Sequence, residues 1–220
     1  MIDEARSLTD ASSIIDLPPS IRGVAALLFA AGESSRMGTP KPLLDWHGEP
    51  LVGHQVRQLR GAGVEDIVVV VGHEAERVRA VAEAAGGRVV VNPDYRSGRA
   101  SSVRAGAAAL GDGTRAVVTL NVDQPRAAAL TRRVLDAHFA SDALITTPEQ
   151  GGRRGHPVVF AGALLLELRA VTEEREGLRA VVRGHAHRRR IVPMDDPAIH
   201  LEFNTPEEYA AALATAGGGR

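Results

Sequence analysis

The sequence predicts a single α/β domain, an open, mainly parallel twisted sheet with helices on both faces. Three observations carry this expectation. Six stretches are apolar at successive positions rather than alternate ones, which fits strands buried on both sides between helices. Between them run segments whose apolar residues recur at helical spacing. The 220 residues suit one core, since chains of this size bury about 70% of their unfolded surface.

In chain order, "VAALLFA" (24–30) is the first strand and "LVGHQVRQLRGAG" the helix after it. "IVVVVG" (67–72), the helix "AERVRAVAEAAG" and "RVVVN" (88–92) repeat the alternation. The helix "ASSVRAGAAALG" leads to "AVVTLNV" (116–122), and "RAAALTRRVLDAHFA" to "ALITTP" (143–148). "HPVVF" (156–160) and the short helix "LLLELRAV" come next. Pro18-Pro19 sets residues 1–22 apart as an expected flexible extension. The domain is expected over 23–214, and residues 215–220, within "TAGGGR", as a disordered tail.

Composition excludes several kinds of protein. Cysteine is absent, so disulfides, thiolate metal sites and cysteine nucleophiles are ruled out. A net charge of -1 provides no global field for nucleic acid or an anionic membrane, so any anion site must be local. The first residues lack the apolar core of a signal peptide, and no window approaches the roughly 20 apolar residues of a membrane span. A cytoplasmic protein without nucleic-acid or membrane partners is expected.

Ligands of open α/β sheets bind beyond the carboxyl ends of the strands. That rule points to the loop after the first strand, "NPDYRSGRASS", "NVDQP" and the loops after Pro148. The first is "AAGESSRMGTPKPLL" (30–44), whose Gly32, Ser34 and Gly38 supply mobile backbone amides for an anion. Arg36 and Lys41 add two positive charges. It is not a Walker A loop, because Pro40 and Pro42 bracket Lys41 and disfavour the helix that motif opens. The G-x-G-x-x-G dinucleotide fingerprint is also missing. Asp123, at the end of a buried strand and before Gln124-Pro125, is placed to hold Mg²⁺, or else to cap the next helix. Asn204 in "FNTPEEY" reads first as a helix cap. "RGHAHRRR" (183–190) reads as a solvated basic surface.

The opening loop resembles the L-A-A-G-x-S-x-R-M-G-x-x-K-x-L-L signature of sugar-nucleotide-like nucleotidyltransferases. Its closest form is that of the molybdenum cofactor cytidylyltransferase family, within the MobA-like NTP transferase superfamily. The resemblance continues in order through "NPDYRSGRASSVRAG", "NVDQP", "GGRRGHPVVF", "MDDP" and "FNTPEEY", covering nearly everything from Val24 to Ala212. It implies a Rossmann-like nucleotidyltransferase fold and transfer of CMP from CTP to the molybdopterin phosphate with release of pyrophosphate.

By the same resemblance, Arg36, Lys41 and Asp123 are the catalytic set. Ala30, Ala31, Gly32, Ser34, Gly38, Arg99 and Ser102 complete the nucleotide site, while Arg153, Arg154 and His156 receive the acceptor. Asp123 and Asn204 hold Mg²⁺ or Mn²⁺. Ala30-Ala31-Gly32 is the form that goes with cytidine, where glycine variants go with guanosine. Arg99 departs from the cofactor family, which has Met there, and matches other cytidylyltransferases. A recipient molybdoenzyme is the implied downstream partner. GTP as donor, another phosphate acceptor, and an NAD(P)H-dependent oxidoreductase of the nicotine-pigment type stay open as alternatives, as does a non-catalytic cofactor-loading module.

Overall fold

The computed structural model describes residues 22–217. Almost all of the extension expected over 1–22, and the last three residues of the expected tail, lie outside them. Residues 215–217 are helical, three residues past the expected end of the domain.

Four parallel strands form one half of the sheet: β1 (Val24–Ala30), β2 (Asp66–Val71), β3 (Arg88–Val91) and β4 (Ala116–Asn121), side by side in the order β3-β2-β1-β4. The other half is mixed. β5 (Ile145–Gln150) and β6 (Arg153–Arg154) form a hairpin, and β7 (Val158–Ala161) runs antiparallel between β4 and β5. β8 (Arg189–Pro193) lies parallel along β5. All six predicted strands are present, and "HPVVF" is the antiparallel one.

The helices cover both faces because every central strand buries both sets of its side chains. Val24, Ala26, Leu28 and Ala30 of β1 enter one apolar layer. It is covered by α1 (Leu51–Gly61), α2 (Ala75–Ala84), α4 (Ala128–Phe139) and α7 (Pro206–Gly217). Ala25, Leu27 and Phe29 enter the other, beneath α3 (Arg99–Ala108), α5 (Leu165–Arg169) and α6 (Leu178–Gly184). Side chains of a strand alternate between faces, so a run apolar at every position is what two covered faces require.

Two strands carry no apolar signal in the sequence. The basic run expected to be plain surface ends in the first two residues of β8, an edge strand with one buried residue, Val192, beside charges and Pro193. Charges and proline are how a sheet edge avoids further pairing, and they also erase the apolar signal. Arg153 and Arg154, in the segment read as loops after Pro148, form β6, with Glu149 opposite Arg154 and Gln150 opposite Arg153. The chain just beyond β6 is pinned by Gly155 N–H to the Pro148 carbonyl (2.9 Å) and His156 N–H to the Ile199 carbonyl (2.9 Å).

Candidate active site

The carboxyl ends of β1 and β4 open into a cavity of about 400 Å³. Its first wall is the loop after β1. Ser34 takes a left-handed conformation (φ 53°), and its carbonyl accepts from Met37 N–H at 2.8 Å, while Met37 itself is buried. Ser34 Oγ then accepts the backbone N–H of Lys41 at 2.9 Å. Lys41 begins a single 3-10 turn (Lys41–Leu43) anchored by buried Pro42. The prolines thus keep Lys41 out of an α-helix, as expected, and aim its side chain across the sheet.

The second wall comes after β4. Gln124 N–H closes a turn on the Asn121 carbonyl at 3.1 Å, so the chain reverses around Asp123. Gln55 of α1, fully buried, donates to the Gln124 carbonyl at 2.7 Å and accepts from Arg126 N–H at 3.2 Å. Gln124 in turn donates to Glu202 Oε2 at 2.9 Å.

These supports bring three residues together across 163 positions of sequence. Lys41 Nζ lies 2.6 Å from Asp123 Oδ2 and 2.9 Å from Asn204 Oδ1. The Lys41 and Asp123 side chains are 12% and 18% exposed, and Asp123 Oδ1 is buried with no partner. Asn204 is not the helix cap. Thr205 is, accepting Glu208 N–H on Oγ1 at 3.3 Å, while the Glu208 carboxylate accepts Asn204 N–H at 2.6 Å. Capping by the neighbour frees the Asn204 side chain to face Lys41.

The donor set suits a hard divalent cation. One carboxylate with an uncommitted oxygen and one neutral amide oxygen match Mg²⁺ or Mn²⁺, which fill the rest of their shell from phosphate and water. Among the described residues no three His, Asp or Glu side chains converge, so the protein alone provides no complete cage.

The third wall is the start of α3. Gly98 precedes it at φ 110°, with no room for a Cβ against the Glu173 carboxylate, which accepts the Ala100 N–H. Arg99 donates to Asn121 Oδ1 at 2.6 Å. Asn92 donates to both Ser101 Oγ and Ser102 Oγ, at 2.8 and 3.0 Å. The Ser101 hydroxyl donates to the Asp94 and Gly98 carbonyls, but Ser102 makes no such bond among the described residues, so its O–H is available to a ligand.

Of the expected nucleotide residues, Ala30, Ala31, Gly32, Ser34, Arg36, Lys41, Arg99 and Ser102 line this cavity, as do the two expected metal ligands, Asp123 and Asn204. Gly38 does not; its positive φ of 66° shapes the loop instead. A second cavity of about 820 Å³ adjoins the first, and Arg99 lines both. Arg154 and His156 line the second, joined by Arg179, Arg183 and Arg189, over a floor that includes Val103, Phe160 and Leu178. Arg153 lines neither cavity and is exposed on β6.

His156 is uncharged at neutral pH. Burial, then the nearby Arg126 and Arg99, push its imidazole down to about 4, so it is neutral at pH 7 and brings no positive charge to an acceptor. His138 of α4, 4% exposed and bonded to Thr146 Oγ1 at 2.9 Å, is also pushed down to about 4 by burial. An unfolded histidine titrates near 6.5, so between about pH 6.5 and 4 the unfolded chain binds protons that the folded chain does not. Stability is therefore expected to be intact above pH 7 and to fall as pH drops through that window. Each histidine contributes on the order of 1.4 kcal/mol per pH unit. Urea unfolding at stepped pH checks this, and His138→Gln should remove roughly half of the histidine slope.

Nothing in the residue pattern marks Gln55, Gln124 or Glu202 as supports. Arg126 is 2% exposed and donates to four carbonyls: His156 at 3.0 Å, Pro125 at 2.9 Å, Leu201 at 2.8 Å and Ile199 at 2.9 Å. Burial pulls it down to about 10, so it stays charged at neutral pH. Only its position beside Asp123 in "NVDQPR" marks it in the sequence.

A parallel half-sheet, a glycine-containing loop carrying Arg36 and Lys41, and a carboxylate at the end of β4 define a nucleotidyltransferase-type enzyme. The chain belongs to the MobA-like NTP transferase domain family, whose model matches residues 26–190.

Several individual proteins are similar to the chain. It is 31% identical over 198 residues to the nicotine blue oxidoreductase of Paenarthrobacter nicotinovorans, covering 86% of this chain and 96% of that one. It is 44% identical over 85 residues to the CMP-5'-(3-aminopropyl)phosphonate synthase of Streptomyces rubellomurinus, covering 34% of this chain but only 14% of that protein. Among solved structures, Rv0371c of Mycobacterium tuberculosis superposes with a TM-score of 0.76 at 29% identity, covering 87% of this chain and 98% of that one. The same protein has been solved as a complex with manganese, which superposes with a TM-score of 0.73 at 27% identity, covering 87% of this chain and 98% of that one. Among the described residues no helix is long and apolar enough to cross a membrane.

Proposed function

We propose that the protein transfers CMP from CTP to a phosphate-bearing acceptor, molybdopterin in the first instance, and releases pyrophosphate. The observation that carries this reading is the uncommitted Asp123 Oδ1 in the cavity that also holds Lys41, Asn204 and the Arg36 loop. In this reading Asp123 and Asn204 hold Mg²⁺ or Mn²⁺, which when bound offsets the charge of the triphosphate. Support for a divalent metal comes from the manganese complex of the mycobacterial relative.

The triphosphate lies along the 30–41 loop, with Lys41 and Arg36 on its β- and γ-phosphates. The Ser102 O–H donates to an acceptor atom of the base, and Ala31, 6% exposed at the cavity wall, limits the room for a purine. The acceptor phosphate comes from the second cavity, met by Arg154 and Arg179 and guided by Arg99 between the two. An oxygen of that phosphate, already anionic, attacks the α-phosphorus, the new P–O bond forms, and the bond to the β-phosphate oxygen breaks. No general base is required, so positioning and charge compensation supply the rate. The relative named as a CMP-5'-(3-aminopropyl)phosphonate synthase supports cytidine as the nucleoside.

The test is a screen of four nucleoside triphosphates against phosphorylated acceptors, read by pyrophosphate release. CTP with molybdopterin is the expected productive pair, and Ser102→Ala should raise the CTP KM by about five- to tenfold, as expected for one lost hydrogen bond to the base. No release with any pair overturns the reading. A second reading, NAD(P)H-dependent reduction of an aromatic substrate, is favoured by the oxidoreductase relative that spans nearly the whole chain. NAD(P)H oxidation without any triphosphate would establish it instead.

A further inference from the structure

Lys41 occupies an unexpected position for a residue read as a phosphate ligand. Its ammonium sits between Asp123 Oδ2 and Asn204 Oδ1, at 2.6 and 2.9 Å, the two side chains assigned to the metal. We infer that Lys41 keeps the metal site closed while no nucleotide is bound, so that the divalent ion enters only together with a triphosphate. The inference rests on the reading of Asp123 and Asn204 as metal ligands and adds the order in which that site is filled.

The obstruction is both steric and electrostatic. Mg²⁺ needs its oxygen ligands at about 2.0–2.1 Å, and an ammonium in hydrogen-bond contact with two of them would crowd and repel an ion on the same oxygens. The remaining donor, Asp123 Oδ1, lies on the same carboxylate, where the ammonium has already offset the negative charge. A metal approaching the empty protein therefore meets one open oxygen and a neighbouring positive charge.

A triphosphate changes both terms, since it offers the ammonium a stronger anionic partner and brings phosphate oxygens to the metal. The backbone is built so that only the side chain has to move. Lys41 N–H is fixed on Ser34 Oγ at 2.9 Å, and Pro40 and Pro42 stiffen the turn on either side. The four-carbon stem of lysine then swings about a fixed root.

Removing a positive charge from a phosphate site is thus expected to improve metal binding by the free protein. The experiment titrates Mn²⁺ into full-length wild type, Lys41→Met, Lys41→Gln and Asp123→Asn. Water-proton relaxation is the readout, because it distinguishes manganese held on a macromolecule from manganese bound to free nucleotide. Each titration is run with and without a CTP analogue that cannot be cleaved at the α-phosphate.

Without nucleotide, both Lys41 variants should bind Mn²⁺ at least about tenfold more tightly than wild type, and the analogue should abolish that advantage. Equal affinity of wild type and both Lys41 variants without nucleotide overturns the inference. The metal reading survives that result if Asp123→Asn still loses protein-bound manganese. If Asp123→Asn binds manganese as wild type does in every condition, the metal reading fails and the inference fails with it.

Discussion

Replacing Asp123 by asparagine is expected to lower kcat/KM for nucleotidyl transfer by at least about a hundredfold while leaving the melting temperature within about 2 °C. The substitution keeps the shape of the side chain and the turn around it, because the turn rests on Gln124, Gln55 and the Asn121 carbonyl rather than on the carboxylate. What disappears is one negative charge and an open oxygen, Oδ1, the atom that the fold buries and leaves without a partner. Burying a charged oxygen without a bond costs stability, so a fold that does so has a use for it elsewhere. Steady-state pyrophosphate release over a range of Mg²⁺ is the measurement, with thermal unfolding alongside. Turnover equal to wild type would remove Asp123 from the reaction.

Arg126→Met should produce the largest loss of stability, about 3–5 kcal/mol or roughly 10 °C in melting temperature. Four of the five guanidinium N–H groups are committed to carbonyls of residues 125, 156, 199 and 201. Methionine fills the volume but leaves the Pro125, His156 and Leu201 carbonyls without this donor and Ile199 with the His156 N–H alone. The same clamp joins the turn after Asp123, the loop after β6 and the segment before Asn204, so both cavities should loosen together. The acceptor KM is expected to rise in the fraction that stays folded. Arg126→Lys should be nearly as harmful, since an ammonium has three donors and cannot reproduce the planar fork. A melting temperature within about 2 °C of wild type would show that the clamp carries little of the fold.

β1, β2 and β4 are open to reading because each is covered on both sides, which leaves an unbroken apolar run, while β3 at the edge keeps a shorter one, Val89 to Val91. β6 and β8 are hidden because an edge strand needs charges and has few buried positions, as Val192 shows. At the site, the loop from Ala30 to Lys41 and Asp123 can be read because each residue contributes its own chemistry beside a strand end. Gln55 and Arg126 cannot, because a buried polar side chain has meaning only through carbonyls that the fold brings to it. His156 is visible as a residue but not as an uncharged one, since its charge depends on burial and on two arginines distant in sequence. Asn204 and Thr205 are both good capping residues, and only the geometry tells which one caps, a one-residue shift of the kind expected at helix ends.

Arg99, bonded to Asn121 at the end of β4, lines both cavities, so occupants of the two would meet the same guanidinium. Any shift of its guanidinium when one compartment fills is felt in the other. Reciprocity then requires each ligand to change the other's affinity by the same factor. In the proposed two-substrate reading, such coupling would disfavour wasteful hydrolysis, because a protein with one cavity filled would hold Arg99 differently from one with both filled.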